Sequence, residues 1–132
     1  MPALSLKSVN TDASLTFSDH SGDYVDVHLQ GGDHSASRRV YLYTDAKSIS
    51  RLFLDAATHQ TGWSGSKVWE SLEGELRLEL TADRLGHVTV GVRIRNDFGG
   101  PDPWRHEGQI TLELGQLPTI AHQAERLFAN GG

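Results

Sequence analysis

Apolar residues recur at every second position in seven segments of the chain, with polar residues between them. These segments contain Leu4/Leu6, Leu15/Phe17, Val25/Val27/Leu29, Val40/Leu42, Leu76/Leu78/Leu80, Val88/Val90/Val92/Ile94 and Ile110/Leu112/Leu114. A period of two places successive side chains on opposite faces of a β-strand, so the pattern predicts about seven strands, each with one buried face. The links between consecutive strands are short and rich in turn residues, which favours antiparallel neighbours because parallel pairing needs a long crossover.

Two further segments change to a period of about 3.6 residues, which is typical of an amphipathic helix. In residues 45–59 the apolar stripe consists of Ile49, Leu52, Phe53, Ala56 and Ala57, with Thr44 or Asp45 as N-cap and Gly62 beyond the end. In residues 117–129 Pro118 suits the first turn, the stripe consists of Ile120, Ala124, Leu127 and Phe128, and Asn130-Gly131 closes the helix. The predicted element order is therefore ββββ-α-βββ-α.

This order predicts an α+β fold in which two helices pack on one face of an antiparallel sheet of about seven strands. A β-sandwich with peripheral helices is the alternative, and the pattern does not distinguish the two. The chain has 132 residues and no linker-like segment, so we expect residues 1–132 to form a single domain.

The composition excludes several classes of site. The sequence contains no Cys, which removes zinc-finger, iron–sulfur, thiol-catalytic and disulfide-stapled proteins together. Its apolar runs are short, and its first residues lack a basic segment followed by an apolar one, so neither a signal peptide nor a membrane span is predicted. A cytoplasmic location fits these properties.

Negative charge is concentrated at the start of the chain. The net charge is −5, and residues 1–35 hold five Asp against one Lys, whereas the remainder is nearly balanced. This sign argues against a nucleic-acid binder, whose affinity comes from neutralising phosphates. Aspartates near Gly and Ser are common in turns for local reasons, but together they could also form an acidic patch that steers a basic protein partner.

Residues that could carry catalysis or bind a metal are present but scattered. Asp26 and His28 share one side of a predicted strand, and Glu75 and Glu79 share the polar face of another with Arg77 between them. Alternating charges on paired strands usually stabilise the pairing, and exposed histidines are usually only solvated. We therefore predict no catalytic residues, no metal ligands and no cofactor, with an unrecognised hydrolase as a remote alternative.

Aromatic residues mark candidate binding positions. Tyr41 and Tyr43 lie beside Arg38 and Arg39 in sequence, and Trp63, Trp69 and Trp104 lie in loops or at strand starts. Tyr, Trp and Arg dominate the binding energy of many protein interfaces. The simpler interpretation of the tryptophans is that they cover the ends of the core.

A family resemblance extends over residues 69–128. It rests on Trp69-Glu70-Ser71-Leu72-Glu73-Gly74-Glu75-Leu76-Arg77-Leu78-Glu79-Leu80, on Gly86-His87-Val88-Thr89-Val90, and on Gly115-Gln116-Leu117 before a helix that closes on Leu127-Phe128. These segments resemble a group of small actinobacterial proteins, and the layout is more distantly similar to the WapI-type immunity proteins of bacterial polymorphic toxin systems. The resemblance implies a cytoplasmic, non-enzymatic protein that binds and blocks a toxin domain.

The leading hypothesis is therefore an interaction protein, an immunity protein whose partner is a basic toxin domain. Its expected partner-binding residues are Asp19, Asp23, Asp26, Asp33, Tyr24 and Trp104. The alternative is a carbohydrate- or small-molecule-binding domain that would use Trp63, Trp104 and the loop 96–105. No nucleic-acid or membrane partner is expected.

Overall fold

The computed structural model describes residues 2–43 and 45–129 of the chain. In that part, four strands and a helix are followed by four more strands, a short 3₁₀ helix (Leu114–Gln116) and a second helix. The first half comprises β1 (Ala3–Lys7), β2 (Ser14–Ser21), β3 (Tyr24–Gly31), β4 (His34–Tyr41) and α1 (Ser48–Ala57). The second half comprises β5 (Ser66–Glu70), β6 (Leu76–Ala82), β7 (His87–Arg95), β8 (Arg105–Glu113) and α2 (Leu117–Ala129).

The α+β class is confirmed, but the single sheet of about seven strands is wrong. The eight strands of the described part form two antiparallel four-stranded sheets, in the orders β1-β2-β3-β4 and β5-β6-β7-β8. The extra strand is β5, and its inward-facing residues are Lys67 and Trp69. Because Lys67 is charged, this strand does not show the alternation of apolar and polar residues that predicts the others. Its face toward α1 is held by a hydrogen bond from Trp69 Nε1 to Ser48 Oγ at 2.7 Å.

Both sheets and both helices contribute to one hydrophobic core. Each sheet buries one face of alternating apolar residues, and the helices add fully buried side chains such as Ile49, Phe53 and Ala124. The two sheets approach closely where Gly108 of β8 faces Leu29 of β3. A Cβ at Gly108 would lie 3.2 Å from Leu29 Cδ2, so an alanine at this position would require the Leu29 side chain to shift by a few tenths of an ångström.

The predicted start of α2 is confirmed, and the predicted start of α1 is shifted. α2 begins at Leu117 as expected, while the predicted end at Asn130-Gly131 lies outside the described residues. α1 has Lys47 in the N-cap position rather than Asp45, and Thr44 lies outside the described residues. The Asp45 carboxylate instead binds Arg51 at 2.6 Å, because a turn separates Asp45 from the first helical residue. No helix in the described part of the chain is long and apolar enough to cross a membrane.

The turn between β6 and β7 is organised by the Asp83 carboxylate. Asp83 Oδ1 accepts hydrogen bonds from the backbone N–H groups of His87, at 2.9 Å, and Leu85, at 2.8 Å. Both hydrogen bonds lower the pKa of Asp83 below its ordinary value of 3.8, and the bond from His87 has the larger effect. A carboxylate whose pKa is lowered by folding stabilises the folded state above its unfolded pKa, and this contribution is lost as the pH falls through the folded pKa.

We therefore expect Asp83→Ala to be less stable than the wild type at about pH 6, with a difference that shrinks at about pH 2.5. Urea unfolding of both proteins at the two pH values measures this change. Asp102→Ala, which removes an exposed aspartate from the loop between β7 and β8, is the control. A difference for Asp83→Ala that stays constant with pH would contradict the expectation.

Candidate functional site

Three tyrosines form a connected cluster at one end of the first sheet. Tyr24 of β3 and Tyr41 of β4 are paired in the strand register, which places both rings on the outer face. Their ring centroids lie 5.2 Å apart, and the ring of Tyr43 lies 6.1 Å from that of Tyr41 in an edge-on orientation. Tyr24 is 45% exposed and Tyr43 is 51% exposed, so the cluster presents a large aromatic area to solvent.

Arg39 connects this cluster to two of the aspartates. It lies opposite Asp26 in the register, and its Nη1 lies 2.8 Å from Asp26 Oδ1 and 3.4 Å from Asp19 Oδ2. Its guanidinium carbon is 5.7 Å from the centroid of the Tyr24 ring. The hydrogen bond to Asp26 raises the pKa of Arg39 further above its already high ordinary value, so this arginine stays charged.

Two more acids lie close to the middle ring. Partial burial raises the pKa of the Tyr41 phenol, and the negative charges of Asp23 and Glu73 add to this effect. The phenol therefore stays neutral and keeps its O–H available as a donor at physiological pH. We call these eight residues the tyrosine surface: Tyr24, Tyr41, Tyr43, Arg39, Asp19, Asp23, Asp26 and Glu73.

The backbone is strained at two points of the tyrosine surface. Asp19 has φ of 51° and Tyr43 has φ of 58°, and in the described part of the chain they are the two non-glycine residues with positive φ. Asp19 lies where the register between β2 and β3 shifts, which turns its side chain toward Arg39. The left-handed conformation costs roughly 1–2 kcal/mol per residue, and such strain is concentrated at functional sites.

The structure brings together four of the six expected partner-binding residues. Asp19, Asp23, Asp26 and Tyr24 all lie on the tyrosine surface. Asp33 lies in the turn at the opposite end of the β3–β4 hairpin, roughly 25 Å away at about 3.3 Å per residue. Trp104 precedes β8 in the second sheet and packs half-buried against the core.

The family model described as "Family of unknown function (DUF6228)" matches residues 6–131. The chain belongs to this family. No curated protein matches the chain. The DUF6228 match begins in β1 and continues through α2, so it includes both sheets, both helices and the whole of the tyrosine surface.

The candidate catalytic groups of this DUF6228 protein are occupied by structural partners. His28 Nδ1 is hydrogen-bonded to Ser37 Oγ, which resembles the start of a nucleophile–base pair. The carboxylate that would orient the imidazole, Asp26, is bonded to Arg39 instead. Across residues 2–43 and 45–129 there is no group of three or more His, Asp or Glu side chains that could hold a metal ion.

Glu75 does not share an exposed face with Glu79. It is 2% exposed, and its carboxylate accepts hydrogen bonds from Ser71 Oγ at 2.8 Å and from the backbone N–H of Tyr41 at 3.1 Å. The pair of carboxylates considered for hydrolysis is therefore split between a buried and a half-buried position. Glu75 instead ties the turn before β6 to the end of β4.

The three tryptophans of the DUF6228 chain pack half-buried against the core. Trp63 Nε1 donates to the carbonyl of Leu80 at 3.4 Å, near the end of β6. The backbone carbonyl of Trp104 accepts a hydrogen bond from the N–H of Asn96 at 2.8 Å. Asn96 follows the end of β7, and this end of β7 pairs with the start of β6. Trp63 and Trp104 thus lie toward opposite ends of the second sheet and do not form one binding face.

Proposed function

We propose that this DUF6228 protein is a non-enzymatic interaction protein that binds a basic protein domain through the tyrosine surface. The observation that carries the proposal is the cluster of Tyr24, Tyr41 and Tyr43, in which Tyr24 and Tyr43 are about half exposed. The biological role that we propose is the one implied by the sequence resemblance, an immunity protein that neutralises a toxin domain.

Aromatic rings at this surface can supply affinity. Tyrosine has only two side-chain torsions, so it gives a large contact area for a small loss of conformational entropy. Hot-spot residues at protein interfaces are enriched in Tyr, Trp and Arg. The tyrosine surface offers three Tyr side by side, with Arg39 packed over one ring.

The charge of the tyrosine surface indicates the sign of the partner. Asp19, Asp23, Asp26 and Glu73 contribute four carboxylates against the single guanidinium of Arg39. An excess of negative charge accelerates the approach of a basic partner and discriminates against acidic ones. Toxin domains that degrade nucleic acids tend to be basic because their substrates are polyanions, and such a domain fits this surface.

The proposal is tested with the purified product of the gene directly upstream of this one, which an immunity role requires to be a toxin. We expect Tyr43→Ala to raise the Kd about tenfold, mainly through faster dissociation, because it removes an exposed aromatic contact. We expect Asp23→Lys to slow association about tenfold at low salt and to reduce its salt dependence. Surface plasmon resonance at several salt concentrations measures both effects.

Two matched controls make the test specific to this surface. Asp33→Lys makes the same charge change at the far end of the same hairpin, and we expect it to leave the association rate nearly unchanged. Leu85→Ala removes a side chain that is 82% exposed in the β6–β7 turn, and we expect no change in Kd. Equal effects of Asp23→Lys and Asp33→Lys, or an unchanged Kd for Tyr43→Ala, would show that the partner binds elsewhere.

A further inference from the structure

A groove crosses the outer face of the second sheet, on the opposite half of the chain from the tyrosine surface. Its volume is about 390 Å³, and its lining includes Arg77, Glu79, Gly91, Arg93, Arg105 and Gln109. Gly91 forms the floor, because it lies between Glu79 on β6 and Gln109 on β8 in the strand register and carries no side chain.

Arginines are crowded around this groove. Arg77 is directly opposite Arg93 in the register, and Arg95 is directly opposite Arg105. Like charges in directly opposed positions destabilise a pair of strands unless anions compensate them. The protein itself supplies a carboxylate for each arginine of the lining: Arg77 lies 2.8 Å from Glu79, Arg93 lies 2.6 Å from Glu70, and Arg105 lies 2.8 Å from Glu107.

The protein's own carboxylates leave donor capacity unused. Each of these ion pairs engages one edge of a guanidinium that carries several N–H donors. The buried Nε of Arg93 has no hydrogen-bond acceptor among the described residues. Each arginine of the lining has one carboxylate partner, so the cluster is balanced in charge, and an anion would bind through the N–H donors that these ion pairs leave over.

Neither the backbone nor the packing requires a glycine at position 91. Its φ is outside the left-handed range, and a Cβ there would make an ordinary contact of 3.7 Å with the carbonyl oxygen of Glu79. Glycine in the middle of a strand weakens the sheet and often marks the close approach of a ligand. Because Gly91 has no side chain, the floor of the groove is open.

We propose that this groove binds a small organic oxyanion, a carboxylate or a phosphate, through the guanidinium groups of Arg77, Arg93 and Arg105. Planar arginine forks match the oxygen geometry of both anions and can hold them with paired hydrogen bonds. The volume is in the range of small-molecule sites. This site is independent of the proposed function, because it lies on the other sheet.

Isothermal titration calorimetry at low ionic strength tests the proposal, with malonate and inorganic phosphate as separate probes. We expect saturable binding of at least one probe to the wild-type protein, and the tighter of the two identifies the anion class. Gly91→Val fills the floor and is expected to weaken binding at least about tenfold, and Arg105→Gln is expected to weaken it by about tenfold. Thr89→Val places a valine on the same face of β7, outside the groove, by exchanging a hydroxyl for a methyl group, and this variant is expected to bind like the wild type.

The folded state of each variant is checked by circular dichroism. If Gly91→Val does not fold, Arg105→Gln decides the question, because its side chain is 51% exposed and its loss leaves the core unchanged. The proposal is overturned if neither probe binds, if the groove variants bind as tightly as the wild type, or if Thr89→Val weakens binding as much as they do.

Discussion

Replacing Phe53 with alanine is expected to lower the free energy of unfolding by about 3–5 kcal/mol. Phe53 is fully buried on the inner side of α1, which packs against α2 and β5. Truncation to alanine removes the transfer free energy of the ring and leaves a cavity that the close-packed core fills only in part. Urea denaturation followed by tryptophan fluorescence gives the change directly.

The adjacent residue provides a matched control for this prediction. Leu54 is 48% exposed and lies about 100° around the helix from Phe53, so Leu54→Ala is expected to change the free energy of unfolding by less than about 1 kcal/mol. A similar loss for both variants would mean that α1 is not docked through the Phe53 face. It would also contradict the conclusion that the two halves of the chain share one hydrophobic core.

Replacing Glu75 with leucine is expected to cost about 2–3 kcal/mol, because hydrogen bonds to a buried charged group are lost and donors are left unpaired. The carboxylate joins Ser71, in the turn between β5 and β6 of the second sheet, to the backbone of Tyr41 at the end of the first sheet. Loosening Tyr41 disturbs the middle of the tyrosine surface, so binding of the proposed toxin domain should weaken along with stability. Chemical denaturation and surface plasmon resonance on the same variant measure the two effects.

Two further variants separate the hydrogen bonds of Glu75 from general effects of charge. Glu75→Gln keeps the shape and one acceptor oxygen, so we expect it to lose about half as much stability as Glu75→Leu. Glu73→Leu removes an exposed carboxylate two residues earlier, and we expect a change within about 0.5 kcal/mol. A Glu75→Leu variant as stable as the wild type would contradict a structural role for this carboxylate.

Periodicity identified most of the elements, and its failures have physical causes. The polar strand β5 was missed because Lys67 and Trp69 occupy its inward positions, where the chain packs beside α1 rather than deep in the core. Glu75 was placed on the wrong face because the period of two applies only inside a strand. Gly74, with φ of 78°, turns the chain before β6 begins and directs Glu75 inward.

The candidate site could have been predicted more fully from the sequence. A two-residue turn at Gly32-Asp33 pairs Gly31 with His34, and counting back along both strands pairs Tyr24 with Tyr41 and Asp26 with Arg39. The same count places Asp33 at the far end of the hairpin. The approach of Asp19 and of Glu73 to this cluster could not be predicted, since the first depends on the irregular register of β2 and the second on how the two sheets meet.

The two halves of the described chain have the same order of elements, four strands followed by one helix, and within each sheet every strand pairs with its neighbour in sequence. Each sheet can therefore form by closing short loops one after another, and short closures are entropically cheap and kinetically fast. Contacts between the halves, above all those between α1 and α2, join residues distant in sequence. Because α2 packs against β1 and β2, the apolar face of the first sheet is covered only after the last element of the chain has been synthesised.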